Sequence, residues 1–179
     1  MEEQHSSAGS LEVLNEESLL IQVSLGDRPI TALIDSGAAV SVFDTSLLPF
    51  VVATGAVRSV QSDTGRATLT QADRTSIRIF GRMFVLPAPL VFNLGSIAQT
   101  TGREVRVLIG QDVLRQAVFD METPARRLTI CDRLPANDEG WHRVRLIHGP
   151  NGRFCLPVDL GSDRTALAFL DLGSSKIRL

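Results

Sequence analysis

The chain has 179 residues, 44% of them hydrophobic, and a formal net charge of -2. That is apolar material for one good core with a second, partial unit, and without a basic stripe interleaved with aromatics it offers no electrostatic footprint for nucleic acid. Apolar runs such as 31–34 and 49–53 fall far short of the roughly 20 residues that a membrane helix needs, so no membrane partner is expected.

Residues 1–16 are rich in Ser, Glu and Gly and are expected to form a flexible leader. They lack the positive start and apolar centre of a secretory signal, which makes the cytoplasm the expected location. From Leu19 the pattern changes. An apolar run at 19–25, a turn at Gly26-Asp27-Arg28-Pro29 and a second run at 30–34 read as a β-hairpin. Further strands are expected at 57–61, 67–70, 76–80, 82–86, 90–93, 105–109, 117–120 and 127–131. Helical periodicity is confined to a turn at 44–48 and a short helix at 111–115. Many short strands at even spacing make the fold class all-β, a barrel or sandwich. Leu33, Ile34, Val40, Val42, Phe43, Leu108, Ile109 and Val113 are the expected core.

Near residues 134–140 the composition shifts to Pro, Asn, Asp and Gly, the mark of a linker, taken as 133–152. Beyond the linker, the chain repeats the pattern of its start. Leu25-Gly26-Asp27-Arg28 precedes Ala32-Leu33-Ile34-Asp35-Ser36-Gly37, and Leu160-Gly161-Ser162-Asp163-Arg164 precedes Ala168-Phe169-Leu170-Asp171-Leu172-Gly173. The expected organisation is a leader (1–16), a main domain (17–132), the linker (133–152) and a partial second copy (153–179). Cys131 and Cys155 lack metal-ligand spacing and read as free thiols, and His5, His142 and His148 form no constellation with acidic groups. No metal or cofactor is expected.

The residues around Asp35 suggest a carboxylate held for chemistry. The apolar strand 31–34 leads into it, Gly37 permits a tight loop whose amides can face the carboxylate, Ser36 offers a hydroxyl that can bond across to a partner loop, and Ala38 leaves room. Downstream, Val107-Leu108-Ile109-Gly110-Gln111-Asp112-Val113-Leu114 forms an apolar strand ending in glycine that runs into a short helix. Together these segments resemble the catalytic loop and supporting strand of the retropepsins, the aspartic proteases of retroviruses, retrotransposons and their bacterial relatives. The resemblance covers about residues 19–131. It implies a closed acid-protease β-barrel with a flap hairpin and one short helix, followed here by an incomplete second copy, and an aspartic endopeptidase acting on polypeptides.

By that resemblance Asp35, Ser36 and Gly37 are the catalytic triplet, with Ala38, Leu108, Ile109 and Gly110 as structural support. The flap falls at 57–70, with Ser62, Asp63, Thr64 and Gly65 at its tip. Asp63-Thr64-Gly65 matches the triplet literally, but its polar surroundings cannot bury a carboxylate, so it is assigned to the flap turn. Asp112 is read as structural, and Arg103, Arg106, Arg115, Arg126 and Arg127 as solvated faces or dimer-interface pairs. Two carboxylates sharing one proton are needed to act as base and acid together. The simplest source of the second is a homodimer with Asp35 from each of two units. Asp171 is the alternative, as in a tandem enzyme if the chain is longer in nature, although Leu172 stands where the triplet has a hydroxyl. A catalytically silent module used for dimerisation or peptide binding is the competing reading.

Overall fold

The apolar runs of the sequence become strands buried on both sides. The computed structural model describes residues 6–14, 18–62, 65–134, 142–149, 153–162 and 164–172. In chain order these form β1 (Ser6–Ser10), β2 (Glu12–Leu14), β3 (Ser18–Leu25), β4 (Arg28–Ile34), β5 (Val42–Asp44), a 3-10 turn (Thr45–Leu47), and a long hairpin of β6 (Ala53–Ser62) and β7 (Gly65–Ala72). A second hairpin, β8 (Thr75–Ile79) and β9 (Arg82–Leu86), leads to β10 (Leu90–Phe92), helix α1 (Gly95–Thr101), β11 (Val107–Ile109), helix α2 (Gln111–Leu114), β12 (Val118–Glu122) and β13 (Arg127–Cys131). Then come β14 (Ile147–His148), β15 (Phe154–Asp159) and β16 (Thr165–Phe169).

The main sheet runs in the order β6-β7-β10-β5-β11-β4-β3-β8-β9, with β2 also paired to β3. At its centre β11 lies parallel to β4, Ile109 beside Ile34, and antiparallel to β5. The alternation of side chains explains why these three strands read as continuous apolar runs. Ala32, Ile34, Phe43, Val107 and Ile109 face the larger core, which also holds Ile77, Phe84, Val113, Leu128 and Ile130. Leu33, Val42 and Leu108 face a second core with Leu20, Leu69, Leu90 and Leu94. The expected core residues are therefore buried, except that Val40 is only half-buried and packs against the rim of the second cluster. At roughly 25 cal/mol per Å² of apolar surface removed from water, two-sided burial makes these strands the most firmly held part of the chain.

The structure departs from the sequence reading in four places. Residues 6–14 of the expected flexible leader are strands: β1 pairs with β13 from Ser6↔Cys131 to Ser10↔Arg127, β2 pairs with β3, and Leu11 between them is 1% exposed. Polar composition hid this because a strand on a sheet edge draws its stability from backbone pairing and one buried anchor. β5 was missed because three residues carry too little pattern. Helix α1 was also missed, so the main domain has two short helices rather than one. It buries no residue and so shows no apolar stripe; instead Asn93 Oδ1 accepts from Gly95 N at 2.8 Å, and the chain leaves it through Gly102 at φ 63°. Finally, β14 falls inside the expected linker and pairs with β15, extending the small sheet β14-β15-β16. Among the described residues no helix is long and apolar enough to cross a membrane.

Candidate active site

Asp35 lies just past the end of β4, where the parallel neighbour β11 captures the backbone: Asp35 N donates to Ile109 O at 2.9 Å. Beyond it the chain turns sharply, and Gly37 N and Ala38 N both donate to the same oxygen, Asp35 Oδ1, at 2.9 and 3.0 Å. One carboxyl oxygen is thereby fixed by two amides and the group cannot rotate freely. Asp35 is half-buried.

The loop after β16 comes to this place. Gly37 is tightly overlaid by Asp171: a Cβ built on Gly37 would lie 2.5 Å from Asp171 Cγ and 2.6 and 2.7 Å from its two oxygens. Gly37 does not have a positive φ, so what a side chain there would meet is the Asp171 carboxyl and not a backbone restriction. Ser36, 2% exposed, joins the two loops. Its Oγ donates to Leu170 O at 2.8 Å and accepts from Leu172 N at 2.9 Å, bonds between residues 134 and 136 positions apart. Leu172 has no hydroxyl to return the arrangement, and packs instead against the main core. The linkage is one-sided.

Electrostatics follow from this packing. Burial, then the neighbouring charge of Asp171 and a hydrogen bond to it, raise the pKa of Asp35 from 3.8 to about 6, against the opposing pull of the Ala38 and Gly37 amides. Asp35 therefore keeps its proton at pH values where an ordinary carboxyl has lost it.

The support behind the loop is built from the glycine at the end of β11. A Cβ on Gly110 would stand 2.7 Å from Val40 C, 2.8 Å from Ala38 O and 3.0 Å from Ser41 N, all backbone, so no larger residue fits without moving the Asp35 loop. Gln111 N donates to Ala38 O at 2.9 Å, and the fully buried Gln111 Nε2 donates to Ser36 O at 2.7 Å. Asp112 has the structural role expected of it: its Oδ1 accepts from Ser41 N, Ser41 Oγ and Val113 N at 3.0, 2.6 and 3.0 Å, while Ser41 Oγ accepts from Gly110 N at 3.0 Å.

Sequence reasoning did not single out Ser41, nor name Gln111 as a support; a small hydroxyl residue and an amide in otherwise apolar surroundings were the available signals. Arg106 was misread as a surface or interface charge. It is part-buried and forms a salt bridge at 3.0 Å with Asp44, the last residue of β5. Burial alone would raise the pKa of Asp44, but hydrogen bonds from Ser46, Leu94 and Arg106 outweigh it and hold that carboxyl below its ordinary value. Arg103 and Arg127 do pair at the surface, with Glu12 and Glu122.

The hairpin β6–β7 stands where the flap was expected and is longer than 57–70, with Ser62 opposite Gly65 at its described end. Asp63 and Thr64 of the expected tip, and Gly173 of the second triplet, lie outside the described residues. No group of three His, Cys, Asp or Glu side chains able to hold a metal occurs among the described residues.

An all-β fold in which a glycine-ended strand supports an Asp-Ser-Gly loop is retropepsin-like. The model of the retroviral aspartyl protease family matches residues 15–121, well over half of the chain, and the protein belongs to that family. The match stops short of Asp171, so the second loop lies outside it. No curated protein matches the chain.

Proposed function

We propose that the chain is an aspartic endopeptidase in which Asp35 and Asp171 of the same molecule form the carboxyl pair. The observation that carries this reading is the seating of Asp171 directly over Gly37, tied there by Ser36 to Leu170 and Leu172. On this reading residues 17–132 supply the first loop, the support of Ala38, Leu108, Ile109 and Gly110, and the flap with Ser62, Asp63, Thr64 and Gly65 at its tip. The segment 153–179 supplies the second loop.

The chemistry requires one proton between two carboxyls. The raised pKa of Asp35 suits it to hold that proton, leaving Asp171 as the base. A water between them gives a proton to Asp171 as its oxygen attacks the scissile carbonyl carbon, and Asp35 protonates the carbonyl oxygen, giving a gem-diol. Asp171 then gives its proton to the amide nitrogen while a gem-diol hydroxyl returns a proton to Asp35, and the C–N bond breaks to release an amine and a carboxylic acid, with one proton again on the pair. The substrate is an extended peptide lying between the β6–β7 hairpin and the loop floor, paired as an added strand.

The homodimer with Asp35 from each of two units is the alternative drawn from the family; it requires Asp171 to vacate the space over Gly37. A silent peptide-binding module is favoured by Leu172, which leaves the loop linkage one-sided. Cleavage of a denatured protein substrate from acidic to neutral pH, with protein concentration varied, separates the three. The intramolecular pair requires that Asp35→Asn and Asp171→Asn each abolish cleavage and that specific activity be independent of concentration. Loss with Asp35→Asn alone, together with a rate rising steeply with concentration, identifies the homodimer. Folded wild type that cleaves nothing identifies the silent module.

A further inference from the structure

Immediately beyond the catalytic loop, Ala39 and Val40 line an open groove of about 560 Å³ whose lining also includes three arginines. They come from three separate elements. Arg58 is on β6, the first strand of the flap hairpin; Arg74 precedes β8; and Arg115 caps the C-terminal end of α2. The groove thus joins the two residues that follow the catalytic loop to a strand of the flap hairpin.

Two of the arginines are held by their Nε atoms, Arg58 to Gln71 Oε1 at 2.8 Å and Arg115 to Gln111 O at 2.9 Å. This fixes the side-chain stems and leaves the terminal nitrogens of the guanidinium forks for other partners. Among the described residues none of the three forms a salt bridge with a carboxylate, whereas Arg82, Arg103, Arg106 and Arg127 all do. The one carboxylate in the lining, Asp112, is engaged at Oδ1 by Ser41 and Val113. Three cations against one anion leave an excess of positive charge in a concave site, although the chain as a whole is slightly acidic. Such a site concentrates anions, and a guanidinium fork matches a carboxylate in geometry.

We infer that this groove is a specificity subsite for an acidic side chain, Asp or Glu, of the peptide substrate, on one side of the scissile bond. The inference rests on the peptidase reading above and adds to it the class of peptide preferred. Arg58 would close over the acidic side chain with the flap, while Arg74 and Arg115 meet it from the fixed walls.

The test uses matched peptides that carry Asp or Glu, or their amides Asn or Gln, at successive positions around one cleavable bond. A single position should favour the acid by about ten- to hundredfold in kcat/KM, the range of a hydrogen-bonded charge pair. Added salt should lower the preference. The double variant Arg74→Gln/Arg115→Gln should bring the ratio close to one, and so should Arg115→Glu, which leaves two cations against two anions. The same peptides titrated calorimetrically into Asp35→Asn, whose carboxyl pair is disabled, give a readout independent of turnover. Cleavage with no acidic preference at any position, or a preference that survives the double variant, overturns the subsite while leaving the peptidase reading intact. Absence of cleavage combined with arginine-dependent binding of the acidic peptide overturns the peptidase reading and upholds the subsite. Absence of acidic preference in both cleavage and binding overturns the inference.

Discussion

Replacing Asp35 by Asn should make the protein more stable at neutral pH while removing its activity. The geometry permits it: both Gly37 N and Ala38 N bond to one oxygen, so the Asn carbonyl can keep both contacts and turn its amide group toward Asp171. What disappears is the titration. With a folded pKa of about 6 against an ordinary 3.8, Asp35 holds a proton in the folded chain that the unfolded chain has released. Its contribution to stability is fully present below about pH 4 and is lost as pH rises through about 6. A shift of about 2 pKa units corresponds at most to roughly 3 kcal/mol, at about 1.4 kcal/mol per unit. Asp35→Asn should therefore exceed wild type by roughly 1–3 kcal/mol at neutral pH, with the gap closing below about pH 4. Urea unfolding across this pH range measures it. A gap that does not change with pH would refute a buried, charge-coupled Asp35.

Three further outcomes concern the same site. In Asp171→Asn the pKa of Asp35, followed by the pH dependence of unfolding or by carboxyl NMR, should fall toward the ordinary value without reaching it, because burial is the larger cause and remains. Wild-type cleavage should decline as pH rises through about 6, where Asp35 loses the proton it donates; an undiminished rate at alkaline pH contradicts the role given to it. Gly37→Ala and Gly110→Ala should differ in kind. The first meets the Asp171 side chain as its nearest neighbour and should abolish activity at a cost of roughly 1 kcal/mol, while the second collides with backbone and should cost about 3 kcal/mol or more in chemical denaturation. A fourth variant probes the link between the loops: Ser36→Ala strands Leu170 O and Leu172 N and should cost roughly 1–3 kcal/mol, with increased proteolysis of the second segment as its signature.

Much of the main domain was legible because its determinants are local. The hairpin 19–34, the strand 82–86, the glycine-ended strand at Ile109 and the short helix after it each carry their signal within a few residues, through alternation, a turn sequence or a breaker. The triplet at Asp35 was legible for the same reason: an apolar strand, an acid, a hydroxyl and a glycine in succession describe a loop that holds a carboxylate. Elements stabilised by something other than a local pattern escaped. The edge strand β1 depends on the backbone of β13, and α1 buries nothing.

By itself the sequence determined the class of fold, the family and the loop that presents Asp35, since each is written in periodicity and short-range residue chemistry. Only the tertiary structure decided where Asp171 sits, what a side chain at Gly37 would meet, and that Arg58, Arg74 and Arg115 meet in one groove. These are contacts between segments far apart along the chain, reaching 136 residues between Ser36 and Leu172. A local pattern reports whether a residue will be buried or turned, but the partner it meets is set by how the sheets close around the two cores.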